Sequence, residues 1–330
     1  MPEWLGSTTR TALRLFVAAV LAAALSTWLF RPGYAAGPET FYGMVVAPGV
    51  DVGKAIPRLS DLGVRTVRLR MDVRDWAAPE ANAPSADVAL AQAGSLDREG
   101  FHVVLQVGSE GGAVPSYARA LGFFRWLMGR SGAAGVDVVE VFGPVTDRGS
   151  DADAFSTTLS LDEQGRRYVG GPLRAAWDVV HSEKRKKVLG AAFTPFQQAG
   201  SFSARGARTL AVTEAYVRAG YTRYVDWAGL RPSPDDGTRQ VGWLRAAAAV
   251  FDGKPVWVSE WSLSRTGYAD DPDYRSALDE TAAGLRPLVA GVCYAPFLGT
   301  TGSSSVVQLV FTGYRPVQPA YDAYRSWPKR

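Results

Sequence analysis

Beyond residue 40, short apolar runs alternate with longer amphipathic stretches. The runs Phe41–Ala47, Thr66–Met71, His102–Val107, Val136–Phe142, Val188–Phe193, Tyr224–Leu230, Val256–Trp261 and Gly291–Phe297 read as buried strands. They are short, apolar and bounded by turn-forming or charged residues. Helical periodicity marks the segments between them: Ser85–Arg98, Tyr117–Arg130, Leu173–Lys184, Ala207–Ala219, Val241–Phe251 and Tyr274–Leu288. A short helix over Pro319–Trp327 ends the series, with Pro319 suited to a first helical turn. Strands alternating with helices pair in parallel through βαβ units. Eight such repeats predict a single-domain (β/α)8 TIM barrel over residues 40–330. No glycine-rich phosphate fingerprint follows the first strand, and Gly111-Gly112 after the third reads as a loop.

The first 36 residues follow a different pattern. Arg10 and Arg14 precede an apolar stretch from Leu15 to Phe30, followed by Arg31-Pro32-Gly33-Tyr34-Ala35-Ala36. A cationic start, an apolar centre and small residues at the end mark residues 1–36 as a signal peptide or signal anchor. The expectation is export: periplasmic, extracellular, or held at the membrane by this segment alone.

Composition narrows the chemistry. The 330 residues are 47% hydrophobic, enough for a large core, and 36 basic against 32 acidic residues leave a charge of +4. The one dense basic run, Lys184-Arg185-Lys186-Lys187, lacks interleaved aromatics and reads as a solvated helix end, so nucleic acid is not indicated. The single cysteine, Cys293, sits among apolar neighbours and reads as a small buried hydrophobe. His102 and His181 lack ligand spacing, so neither a metal site, another cofactor nor a Ser-His-Asp arrangement is expected.

The stretch Lys254-Pro255-Val256-Trp257-Val258-Ser259-Glu260-Trp261 carries the chemical signal. A glutamate ending a buried strand is costly to keep unless it is hydrogen-bonded or used. In a TIM barrel that strand end is where chemistry sits. Two-residue alternation places Trp257 on the face opposite Glu260, toward the helices. On the second strand, Arg68 and Arg70 share a face, and a buried arginine there needs a carboxylate such as Glu140. The pattern suits a structural ion pair and a substrate-binding role for Arg68 equally. Trp76, Phe142, Trp227, Trp261, Tyr294 and Phe297 stand near strand ends, where they either stack on sugar rings or plug the barrel as core. Trp227 and Trp261 are the favoured platforms, and Arg231 is placed to meet an acidic sugar or Glu260 itself.

Three segments resemble the retaining glycoside hydrolases of clan A, with families 5 and 39 nearest. Gly63-Val64-Arg65-Thr66-Val67-Arg68 with Trp76 downstream is similar to their second strand. Pro255-Val256-Trp257-Val258-Ser259-Glu260-Trp261 resembles their seventh, whose terminal glutamate is the nucleophile. Gln318-Pro319-Ala320-Tyr321-Asp322-Ala323 resembles the segment after their eighth. The resemblance implies carbohydrate as partner and Glu260 as nucleophile.

One part of the pattern is missing. Clan members end strand four on an Asn-Glu pair whose glutamate is the acid/base, and this chain has Gly143-Pro144 there. A retaining mechanism needs a second carboxyl about 5–5.5 Å from the nucleophile to protonate the leaving oxygen. Glu110 and Asp147 are the candidate replacements, with Asp72 and Asp75 as further loop carboxylates. The histidine and tyrosine common on strand six are also replaced, by the segment from Asp226 to Pro232. Three expectations follow: an exported hydrolase acting on an extracellular or envelope polysaccharide with a relocated acid, a non-catalytic glycan-binding relative in polysaccharide assembly or export, or a barrel scaffold for a protein partner.

Overall fold

The computed structural model describes residues 42–109, 114–143, 145–146, 149–150, 159–182, 186–195, 202–232, 237–298, 309–311 and 313–329. All belong to one compact unit, Pro38–Arg330. Eight parallel strands form the barrel: β1 (Tyr42–Val45), β2 (Thr66–Val73), β3 (His102–Ser109), β4 (Val138–Val141), β5 (Lys187–Phe193), β6 (Trp227–Leu230), β7 (Val256–Trp261) and β8 (Gly291–Tyr294). Each pairs with its neighbours in chain order. Pairing of β1 with β8 and of β4 with β5 closes the cylinder.

Helices cover the outside: α1 (Val52–Asp61), α2 (Ala83–Arg98), α3 (Tyr117–Met128), α4 (Leu161–Tyr168), α5 (Arg174–Val180), α6 (Phe202–Arg218), α7 (Gly237–Ala249), α8 (Asp271–Leu285) and α9 (Ala320–Ser326). Two of these were not anticipated. α1 contains Pro57, a residue that ordinarily interrupts helices, yet Asp51 caps its start by accepting from the Lys54 N–H. Val52, Ala55 and Leu59 form its buried stripe. α4 is capped at its start by Ser160, whose hydroxyl accepts from the Glu163 N–H. Among the described residues no helix is long and apolar enough to cross a membrane. The expected signal or anchor over residues 1–36 lies outside them.

Two residues of the basic run, Lys186 and Lys187, are engaged with the protein instead of solvated. Lys184 and Arg185 lie outside the described residues. Lys186 donates to the carbonyls of Ala133 and Val136 at 2.8 and 2.5 Å, and Lys187 pairs with Asp226 at 3.2 Å.

The C-terminal residues strap the barrel's N-terminal end. The Lys329 ammonium lies over the rings of Tyr324, Tyr42 and Trp327, at 4.0, 5.5 and 5.7 Å from their centroids, and donates to the Tyr324 carbonyl. Burial, and secondarily the Arg286 guanidinium, pulls its pKa down to about 7 despite those ring faces. An unfolded lysine holds its proton to about 10.4. The unfolded chain therefore binds more protons between those values, so stability rises with pH from about 7 toward 10. Urea titrations across that range are expected to show this rise, and Lys329→Met to flatten it. An unchanged slope in the variant would assign the rise elsewhere.

Candidate functional site

The charged side chains of the mouth are organised from β2. Arg68 contacts Glu140 on β4 and Glu260 on β7, strands that are not its neighbours, so its side chain crosses the barrel interior. The Arg68 Nε donates to Glu140 Oε2 at 2.5 Å and Nη2 to Oε1 at 3.2 Å. Glu140 is fully buried and Arg68 is 4% exposed. Burial works against the Arg68 charge, but attraction and hydrogen bonding from Glu140, with Glu260 beyond, raise its pKa above the usual arginine value. The expectation that Glu140 serves as an interior ion partner is met, with Arg68 as the partner.

Below this pair lies Cys293, whose thiol burial pushes up to about 12, with Arg68 only partly offsetting it. β1 leaves room for it with a glycine. A Cβ on Gly43 would sit 2.9 Å from the Cys293 sulfur and 2.9 Å from the Thr66 carbonyl oxygen. Cys293 is thus the buried apolar filler expected of it.

Glu260 ends β7 with its side chain one quarter exposed. Arg231, one residue past β6, donates from Nη2 to Glu260 Oε1 at 2.8 Å, and Arg68 Nη1 stands 3.6 Å from Oε2. The carboxylate is held between two guanidiniums, one buried and one with a side chain 36% exposed. Arg70, two residues beyond Arg68 on the same face, bonds Asp72 at 2.6 Å. Their side chains are 42% and 33% exposed. Among the described residues, Arg70, Asp72, Arg231 and Glu260 thus bring partly exposed charged side chains to this mouth.

The aromatic side chains are elsewhere. Between β7 and β8 the register slips: Val258 pairs with Val292, but Trp261 pairs with Tyr294, so three steps on β7 match two on β8. This bulge breaks the two-residue alternation. Glu260 turns into the mouth, and Trp261 turns out toward the helices. Trp261 is 1% exposed, packs on Tyr294 and Trp327 and gives its indole N–H to Gln240 at 2.8 Å. It is a packing residue, not a stacking platform. Trp257, expected among the helices, lies beside the Cys293 thiol and against Trp227 at 5.6 Å instead.

Phe142 departs from the pattern for a second reason. Its φ of 76° is a left-handed conformation that a bulky residue rarely adopts. Its ring stacks on Trp76 at 5.3 Å and meets the edge of Tyr168, in the layer between strands and helices. Trp76 also packs on Phe123 and is 6% exposed. Tyr294, 1% exposed, faces Trp261 and Tyr324. Trp227 does face the interior, but it opens β6, about 13 Å below Arg231 at strand rise, and is 7% exposed. None of these five offers a ring face to a ligand.

Glu110 and Asp147, the candidate acids, lie outside the described residues, as does Pro144. Gly143 lies just beyond β4. Among the described residues no group of His, Cys, Asp and Glu side chains could hold a metal ion.

No protein-family model matches the sequence, and no curated protein matches it at a significant level. Solved structures do match in fold. A family 39 glycoside hydrolase from the gut symbiont Bacteroides cellulosilyticus WH2 superposes with a TM-score of 0.57 at 14% identity. The match covers 88% of this chain and 63% of that one, so this chain spans less than two thirds of that enzyme's length. A GH5_18 protein from Bifidobacterium longum gives 0.61 at 11% identity, covering 87% of this chain and 78% of that one. A β-glucosidase from Exiguobacterium marinum gives 0.56 at 12% identity, covering 87% and 96%. The chain shares the closed (β/α)8 fold of these glycoside hydrolases.

Proposed function

We propose that this is an exported glycoside hydrolase-like protein acting on an extracellular or envelope polysaccharide, with Glu260 as the nucleophile. The observation that carries this reading is the Glu260 carboxylate at the mouth, held by Arg68 and Arg231 at the end of β7. A carboxylate fixed there can attack an anomeric carbon and form a glycosyl-enzyme as the leaving oxygen departs. That oxygen needs a proton, and the clan's usual donor position is Gly143-Pro144. Glu140 cannot serve, because it is fully buried and occupied by Arg68. The proton donor in this reading is Glu110 or Asp147. The structures of similar fold include glycoside hydrolases, and a variant of the Bifidobacterium longum protein has been solved with Manβ1-4GlcNAc.

A second reading, a non-catalytic glycan-binding relative, draws support from the Arg231–Glu260 ion pair, which occupies the would-be nucleophile. Aryl β-glycosides graded from very acidic phenols to poor alcohols separate the two. The hydrolase reading expects turnover of good and poor leaving groups, lost to background in Glu260→Gln. Reaction with acidic phenols alone would mean a nucleophile without an acid, at a cost of about 10²–10⁴ in rate on natural linkages. No Glu260-dependent reaction would leave the binding reading.

A further inference from the structure

Resting on the glycan reading of this mouth, we propose that its ligand is an anionic saccharide, and that Arg231 receives the anion by exchanging Glu260 for it. Neutral sugars are usually held by aromatic faces. Here the aromatic residues that sequence would place at the mouth are all buried: Trp76, Phe142, Trp227, Trp261, Tyr294 and Phe297 are 7% exposed or less. What the described mouth presents is charge: the guanidiniums of Arg70 and Arg231, each paired with a carboxylate.

The arginines there are not equivalent. Arg68 is buried and committed through two nitrogens to Glu140, and it reaches Glu260 only at 3.6 Å. Arg231 is more exposed and makes one contact, Nη2 to Glu260 Oε1. A guanidinium has five donors in a planar fork, and the remainder of this one finds no partner among the described residues. Arg70 is 42% exposed at the same mouth, with its Nε on Asp72. A carboxylate or sulfate fits such a fork through two parallel hydrogen bonds. Taking Arg231 would release Glu260 Oε1, while Arg68 would keep its contact with Oε2. A neutral sugar has no group with which to displace a carboxylate from a guanidinium. The exchange thereby couples recognition of the ligand's charge to freeing the Glu260 carboxylate.

The test is calorimetric titration of the full chain with matched oligosaccharides. The set comprises a galacturonate hexamer, a sulfated oligosaccharide, neutral β-glucan and β-mannan hexamers, and polyglutamate as a polyanion without sugar. The expected result is binding of an acidic oligosaccharide at least about 10-fold tighter than any neutral one. Arg231→Gln should weaken it about 10–100-fold with an unchanged melting temperature, and Arg231→Lys should fall between. Whether uronate or sulfate binds tighter identifies the anion. Neutral hexamers bound equally well, with Arg231→Gln indistinguishable from wild type, would overturn the anionic class and leave the glycan reading standing. Polyglutamate bound as tightly would reduce the site to general polyanion adhesion and overturn the proposal. No binding of any oligosaccharide would remove the glycan reading together with this inference.

Discussion

Arg68→Met is expected to lower the unfolding free energy by about 3–5 kcal/mol, because it strands a charge inside the barrel. Glu140 is fully buried, and both its carboxylate oxygens are taken by Arg68, at 2.5 and 3.2 Å. Without the guanidinium, that carboxylate keeps the full cost of desolvation. For a chain of this size the loss corresponds to a fall in Tm on the order of 10 °C. The double variant Arg68→Met with Glu140→Leu removes both charges at similar volume. It should recover most of the loss, since replacing a buried ion pair by packed apolar groups is often near neutral. Urea denaturation of the wild type, the single variant and the double variant checks this. A double variant as unstable as the single one would mean that Arg68 acts through something other than Glu140.

Trp261→Ala should cost about 3–5 kcal/mol as well, through a cavity instead of a charge. The ring fills the space between β7, Tyr294 and Trp327 and bonds Gln240, which in turn donates to the Ser262 carbonyl. Removing it empties that space and takes away the indole hydrogen bond to Gln240. The prediction has a second half. Glycan affinity of the folded variant, measured well below its melting temperature, should equal that of the wild type. Weakened glycan binding with intact stability would put the indole back in the mouth and reverse the assignment of β7's two faces.

The barrel itself was legible because hydrophobic periodicity is dense and repeated: each of the eight runs read as strands overlaps an observed strand. α1 escaped because Pro57 and Gly53 dilute its helical signal, while the capping by Asp51 that rescues it is a single hydrogen bond. At the site, the charges could be read in advance. An arginine in a barrel strand demands a carboxylate, and Arg68 finds Glu140 and Glu260 as charge balance requires. The aromatic residues could not, because their placement depends on strict alternation, which fails twice at the mouth. Phe142 adopts a left-handed conformation without being glycine, and Ser259-Glu260 carries no glycine or proline to announce a bulge.

That bulge has a consequence for how such a site can arise or be lost. The extra residue works as a phase shifter: every side chain beyond it exchanges inside for outside relative to an unbroken strand. Pairing every residue of β7 in unbroken register would drive the carboxylate into the helix layer and swing the indole into the mouth. Deleting Ser259 would instead remove the bulge and leave Glu260 on the interior face that Trp257 occupies. The pairing register at one position, more than side-chain identity, thus decides whether this strand presents an acid or an aromatic side chain to the mouth. Substitutions alone cannot convert one mouth into the other without also repacking the shell behind it.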